Sequence, residues 1–142
     1  MIPNFMANGT LPAGKYEMTI AEFETKFAYN ITRKGLFNKL IKLIEDLKNI
    51  GCQTLYIDGS YVTNKVFPGD MDICWEMDGV DLAKAKPMLP ALFDRSLQKS
   101  VYGADIFPAN IMERNSMKLF IDFFQTDKNT GQPKGIVKIK II

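Results

Sequence analysis

A chain of 142 residues is long enough for one hydrophobic core. Its 46% apolar and 24% charged residues fit an ordinary globular domain and exclude a disordered or fibrous one. The net charge of +2 is too small to mark a nucleic-acid or membrane surface, so any polyanion would have to be met locally. The complete absence of histidine excludes a Ser-His-Asp triad, a Cys-His pair, an HExxH zinc site and imidazole acid–base catalysis.

The first 18 residues contain two prolines and two glycines without a clear period, and read as an irregular leader. Within it, "GTLPAGK" from Gly9 to Lys15 matches the P-loop spacing, but Tyr16 stands where the Mg²⁺-binding Ser or Thr belongs and no apolar strand precedes Gly9. The N-terminus has neither the charged n-region nor the apolar h-region of a signal peptide, and no uncharged apolar run approaches the ~18 residues of a membrane span. A cytoplasmic protein without a membrane partner is therefore expected. Cys52 and Cys74, outside any CxxC spacing, read as buried reduced thiols.

Thr19 and Glu22 form a capping box ahead of Ile20, Phe23 and Phe27, which predicts a short helix. The strongest helical pattern follows: Leu36, Leu40, Leu43 and Leu47 form a stripe widened by Phe37 and Ile44, with Thr32 as the expected cap and Gly51 as the stop. "QTLYID" predicts a strand running into Gly59, and "MDICWEM" a second one. "VDLAKAKPMLPALFDRSLQ" predicts helix interrupted by Pro87 and Pro90. "VYGADIF" predicts a third strand, residues 116 to 126 a helix, and "GIVKIKII" a closing strand. The expected order is α-α-β-β-α-β-α-β.

Side chains two apart on a strand point the same way, so Asp70 and Asp72 are expected to present two mutually repelling carboxylates on one face. A hard divalent cation relieves that repulsion, and Mg²⁺ takes oxygen ligands completed by water and phosphates. Gly59, which lets phosphate approach the backbone, and the Ser60 hydroxyl are the expected cradle opposite. Two-metal chemistry needs a third carboxylate, for which Asp105 on the third strand is the candidate and Asp122, on a solvated helix face, the weaker one.

Gly59-Ser60, nine intervening residues, Asp70-Met71-Asp72 and a later strand-borne Asp105 resemble the minimal nucleotidyltransferases of the DNA polymerase β superfamily over residues 32 to 107. The C-terminal "FFQTDKNTGQPKGIVKI" also resembles the end of an uncharacterised nucleotidyltransferase-like subgroup. The resemblance implies an α/β (α+β) domain spanning the chain, with a short mixed sheet and helices mainly on one face. It implies Mg²⁺-dependent (or Mn²⁺-dependent) transfer of a nucleoside monophosphate from a nucleoside triphosphate, ATP first among them, to an acceptor hydroxyl. Asp70, Asp72 and Asp105 would then be the metal-binding and catalytic residues, and Gly59, Ser60, Lys65 and Lys134 the nucleotide contacts. The chain departs from the family pattern at Asp58, where an apolar residue is usual, and at Thr63-Asn64, where Arg-Gly is frequent; Lys65 is the expected substitute for the arginine charge.

A chain this short leaves little room for a substrate domain, so a protein partner is expected, either as the target of transfer or as the other half of a toxin–antitoxin pair. An RNA acceptor remains open. The alternative reading is an inactive nucleotidyltransferase fold serving as a binding or regulatory module such as an antitoxin.

Overall fold

The computed structural model describes residues 2–141. Five strands, β1 (Gly14–Met18), β2 (Thr54–Asp58), β3 (Met71–Trp75), β4 (Ala104–Pro108) and β5 (Gly135–Lys140), form one mixed sheet in the order β1-β5-β2-β3-β4. The outer pairs β1/β5 and β3/β4 are parallel, while β2 runs antiparallel to both β5 and β3. The expected α/β class is what forms, with one strand more than the sequence pattern announces.

That extra strand is β1, inside the segment read as an irregular leader. Met18 is buried and Tyr16 packs against the main core, while Lys15 and Glu17 face the other side. Its partner β5 lies at the far end of the chain, so no local pattern reports the pairing. The P-loop-like "GTLPAGK" runs into this strand and not into a helix, which removes the helix N-terminus on which a P-loop depends.

Helix α1 (Ile20–Phe27) starts at the expected capping box, with Thr19 accepting from the Glu22 N–H and Glu22 from the Thr19 N–H. Helix α2 (Ile31–Asn49) is capped by Asn30, whose Oδ1 accepts from the Arg33 N–H at 2.9 Å. Thr32, the expected cap, lies inside the helix because the first turn begins at Ile31. The buried stripe is Phe37, Leu40, Leu43 and Leu47, with Leu36 only partly covered, and Arg33 continues it toward the N-terminus.

The prolines divide the next segment as expected. Pro87 sits in α3 (Leu82–Met88), Pro90 opens a single 3₁₀ turn, and α4 (Arg95–Tyr102) follows. Val101 and Tyr102, expected in the third strand, finish α4, and the left-handed Gly103 turns the chain into β4. The helix expected over 116–126 shrinks to α5 (Phe120–Phe123), since Met117 takes a positive φ and the chain on either side forms turns.

Phe23, Phe27, Leu40 and Leu47 pack with Leu55, Ile57, Ile73, Trp75, Ile106 and Val137 on one face of the sheet, so α1 to α4 cover that face. The opposite face carries a smaller cluster of Tyr56, Cys74, Ile136, Ala109 and Phe124, bordered by Phe107, Phe120 and Phe123. Beside that cluster the face carries Asp58, Asp72 and Asp105 on β2, β3 and β4, and Lys15 and Lys138 on β1 and β5. Cys52 and Cys74 are free, buried thiols. No helix among the described residues is long and apolar enough to cross a membrane.

Candidate active site

The sheet register builds the site. Asp58 pairs with Asp72 across β2/β3, and Asp72 with Asp105 across β3/β4. Residues directly opposite on neighbouring strands share a face, so three aspartates stand in a row on the side away from α1 to α4. Asp70, just before β3, lies beyond this row.

Gly59 joins the row to the Gly-Ser turn. Its φ of +85° and ψ of −172° form a backbone conformation open essentially to glycine alone. A Cβ there would meet the Asp72 N–H nitrogen at 3.1 Å, Asp72 Oδ2 at 3.2 Å and Asp70 Oδ1 at 3.4 Å. Both carboxylates of the Asp-x-Asp pair therefore converge on one bare Cα. Ser60 donates from Oγ to Asp70 Oδ1 at 2.9 Å, so the hydroxyl expected to face phosphate instead orients the first aspartate.

These residues line a pocket of about 400 Å³ whose walls include Thr10, Thr63, Phe124, Asp127, Lys128 and Lys134. Lys134 Nζ reaches Asp58 Oδ2 at 2.9 Å. Burial is the main force raising the Asp72 carboxyl to about 6, with further repulsion from Asp70, Asp58 and Asp105 and partial relief from Lys134. Asp58 is also raised, by burial first, against the pull of Lys134.

Gly59, Ser60, Asp70, Asp72 and Lys134 are thus gathered in one pocket. Asp105 is in the row but outside the pocket lining: Lys99 Nζ stands 3.4 Å from its Oδ2 and Arg95 Nη2 3.5 Å from its Oδ1. Lys65 is exposed and also outside the lining, and it is held by its backbone, with its carbonyl accepting from Arg33 Nη2. Asp122 is exposed on α5, on the segment that covers the far side of the sheet.

Two contributors have only a faint sequence signal. Arg33 is fully buried, and its guanidinium donates to the carbonyls of Phe27, Tyr61, Thr63 and Lys65, pinning the turn that follows Gly59. Its position one turn before Phe37 on the apolar stripe is the available clue. The pairing of Asp58 with Lys134 is fainter still, because its members lie far apart in the chain, at the end of β2 and just before β5.

Asp70 and Asp72 fit a Mg²⁺ ion in number and kind, because that ion is commonly held by one or two carboxylates and completed by water and substrate phosphates. Their common approach to Gly59, which carries no side chain, gives the fit its structural basis. Among the described residues no three such side chains form a ready-made cage. A site here would be completed by its ligand.

Fold and site together define a mixed α/β domain with an acidic pocket at the ends of its central strands. Residues 3–140 match the model of a family of unknown function, DUF6932, and the chain belongs to that family. No curated protein and no solved structure matches it.

Proposed function

We propose that the protein is a Mg²⁺-dependent nucleotidyltransferase that moves a nucleoside monophosphate from a nucleoside triphosphate, ATP first, to an acceptor hydroxyl, with a partner protein as the first candidate acceptor. The observation that carries this reading is the convergence of Asp70 and Asp72 on Gly59 in a pocket that also holds Lys134. A bound Mg²⁺ would neutralise charge on the phosphates and polarise the reacting phosphorus. In the reaction, the acceptor oxygen forms a bond to the α-phosphorus while the bond to the bridging oxygen of the β-phosphate breaks, and pyrophosphate leaves with that electron pair.

The chain's own groups divide the remaining work. Asp70, oriented by Ser60, and Asp72 hold the cation, the bare Gly59 backbone admits phosphate, and Lys134 supplies positive charge from the pocket wall. The acceptor proton needs a carboxylate, and Asp105 is the third member of the row. Its long, solvent-facing contacts to Arg95 and Lys99 are of the kind that hold weakly.

Asp105 also favours a second reading, a nucleotide-binding or regulatory module of the same fold, such as the antitoxin of a toxin–antitoxin pair, because its carboxylate is engaged by two cations away from the pocket. Incubation with α-labelled nucleoside triphosphate, Mg²⁺ and a cell lysate separates the two. Label transferred to a macromolecule, and abolished by Asp70→Asn, supports the transferase. Nucleotide binding without transfer supports the module.

A further inference from the structure

Asp58, the position at which the chain leaves the pattern it resembles, lies on the pocket wall at the end of β2 and is 4% exposed. Its backbone is fixed by the ladder to β3, and Lys134 meets it from the position just before β5. Lys134 is equally well anchored. Its N–H donates to the Gln125 carbonyl at 2.9 Å, and the adjacent Gly135 is packed so tightly against the Pro12 carbonyl and the Tyr16 ring that a Cβ would not fit. Two rigid backbones therefore aim one carboxylate and one ammonium at each other inside the pocket.

A lysine ammonium has three donors, and Lys134 directs one of them to Asp58, so donors remain for a ligand. The same contact separates the charges of the pocket. A flexible lysine beside Asp58, Asp70 and Asp72 would otherwise be drawn to the Asp70/Asp72 pair and compete with a divalent cation there. With Asp58 holding it, the Asp-x-Asp pair stays open. A buried ion pair is in general a poor stability device, since desolvation offsets most of the attraction. Placement of the ammonium is what this one supplies.

We propose that Asp58 is a positioning residue for Lys134, holding the ammonium where it meets ligand phosphate and away from Asp70 and Asp72. The inference rests on reading the pocket as a phosphate-binding site. Its test is a double-mutant cycle on binding of inorganic pyrophosphate with Mg²⁺, measured by calorimetry in wild type, Asp58→Asn, Lys134→Met and the double variant, with thermal unfolding of each as a control.

Each single change is expected to weaken binding about tenfold, the scale of one charge-assisted hydrogen bond, and Asp58→Asn is expected to add nothing in the Lys134→Met background. A purely structural role for Asp58 would instead lower affinity equally in both backgrounds, and that result overturns the inference. So does unchanged affinity in Asp58→Asn beside a loss in Lys134→Met, an outcome that leaves the pocket assignment standing. Failure of the wild type to bind pyrophosphate with Mg²⁺ overturns the pocket assignment itself and this inference with it. If Asp58→Asn does not fold, Asp58→Leu replaces it in the same cycle, since an apolar residue is what the resembling pattern carries at that position.

Discussion

Asp72 on β3 is the cross-strand partner of Asp58 on β2, so two acidic side chains stand directly opposite each other on one face of the sheet. Burial of Asp72 is the larger cost of this arrangement, and the opposed like charges add to it. The fold accepts this arrangement with one lysine as partial relief. Local violations of the rules that stabilise sheets are expected at functional sites.

Burial of Asp72, with repulsion from its acidic neighbours second, predicts a pH dependence of stability. The Asp72 carboxyl is raised from 3.8 to about 6, so the folded state binds the proton more tightly than the unfolded chain. Stability from this group is then present below about pH 4 and is lost as pH rises to about 6. Asp72→Asn removes the dependence. Its unfolding temperature, measured without metal, is expected to gain on wild type between these values and to level off above them; a constant offset across the range would contradict the assignment.

Gly59→Ala tests the cradle. The backbone conformation at this position costs roughly 1–3 kcal/mol for a residue with a Cβ, and the added methyl presses on the Asp72 backbone and carboxylate and touches Asp70. Urea denaturation should show a loss of that size. Gly69→Ala, at a position where a Cβ meets nothing within 4 Å and φ is ordinary, should change stability far less.

Arg33→Met leaves the carbonyls of Phe27, Tyr61, Thr63 and Lys65 without their donor and empties the space between the Tyr29 and Tyr61 rings. A loss of about 3 kcal/mol or more is expected, since each buried acceptor left bare costs about 1–3 kcal/mol. Hydrogen exchange should accelerate first at the backbone amides of Val62 and Thr63, which close the 3₁₀ turn after Gly59. Uniform acceleration through the sheet would mean that Arg33 supports the whole fold and not this turn.

Much of the candidate site was legible in the sequence because it is local. The two-residue spacing of Asp70 and Asp72, and the glycine before Ser60, are statements about neighbours in the chain, and the strands beside them form where the apolar alternation places them, although β3 starts at Met71 and so carries Asp72 without Asp70. Asp105 falls in line with Asp72 because a short helical crossover returns the chain to a parallel partner. What the sequence did not show depends on distant contacts. β1 is specified by pairing with β5, and Asp58 acquires its lysine only when β5 is laid beside β2. The helix expected over 116–126 failed for another reason: Phe120, Phe123 and Phe124 satisfy their burial through aromatic contacts with Phe107 and one another, which a single turn suffices to present.

The most direct measurement is calorimetric titration of ATP with and without Mg²⁺ into wild type and the double variant Asp70→Ala/Asp72→Ala. A metal site completed by phosphate predicts binding that is at least about tenfold tighter with Mg²⁺ in wild type, as for a bridging ligand interaction of about 1.4 kcal/mol, and no such difference in the variant. ATP binding that is absent, or equally strong with and without the ion, would contradict it.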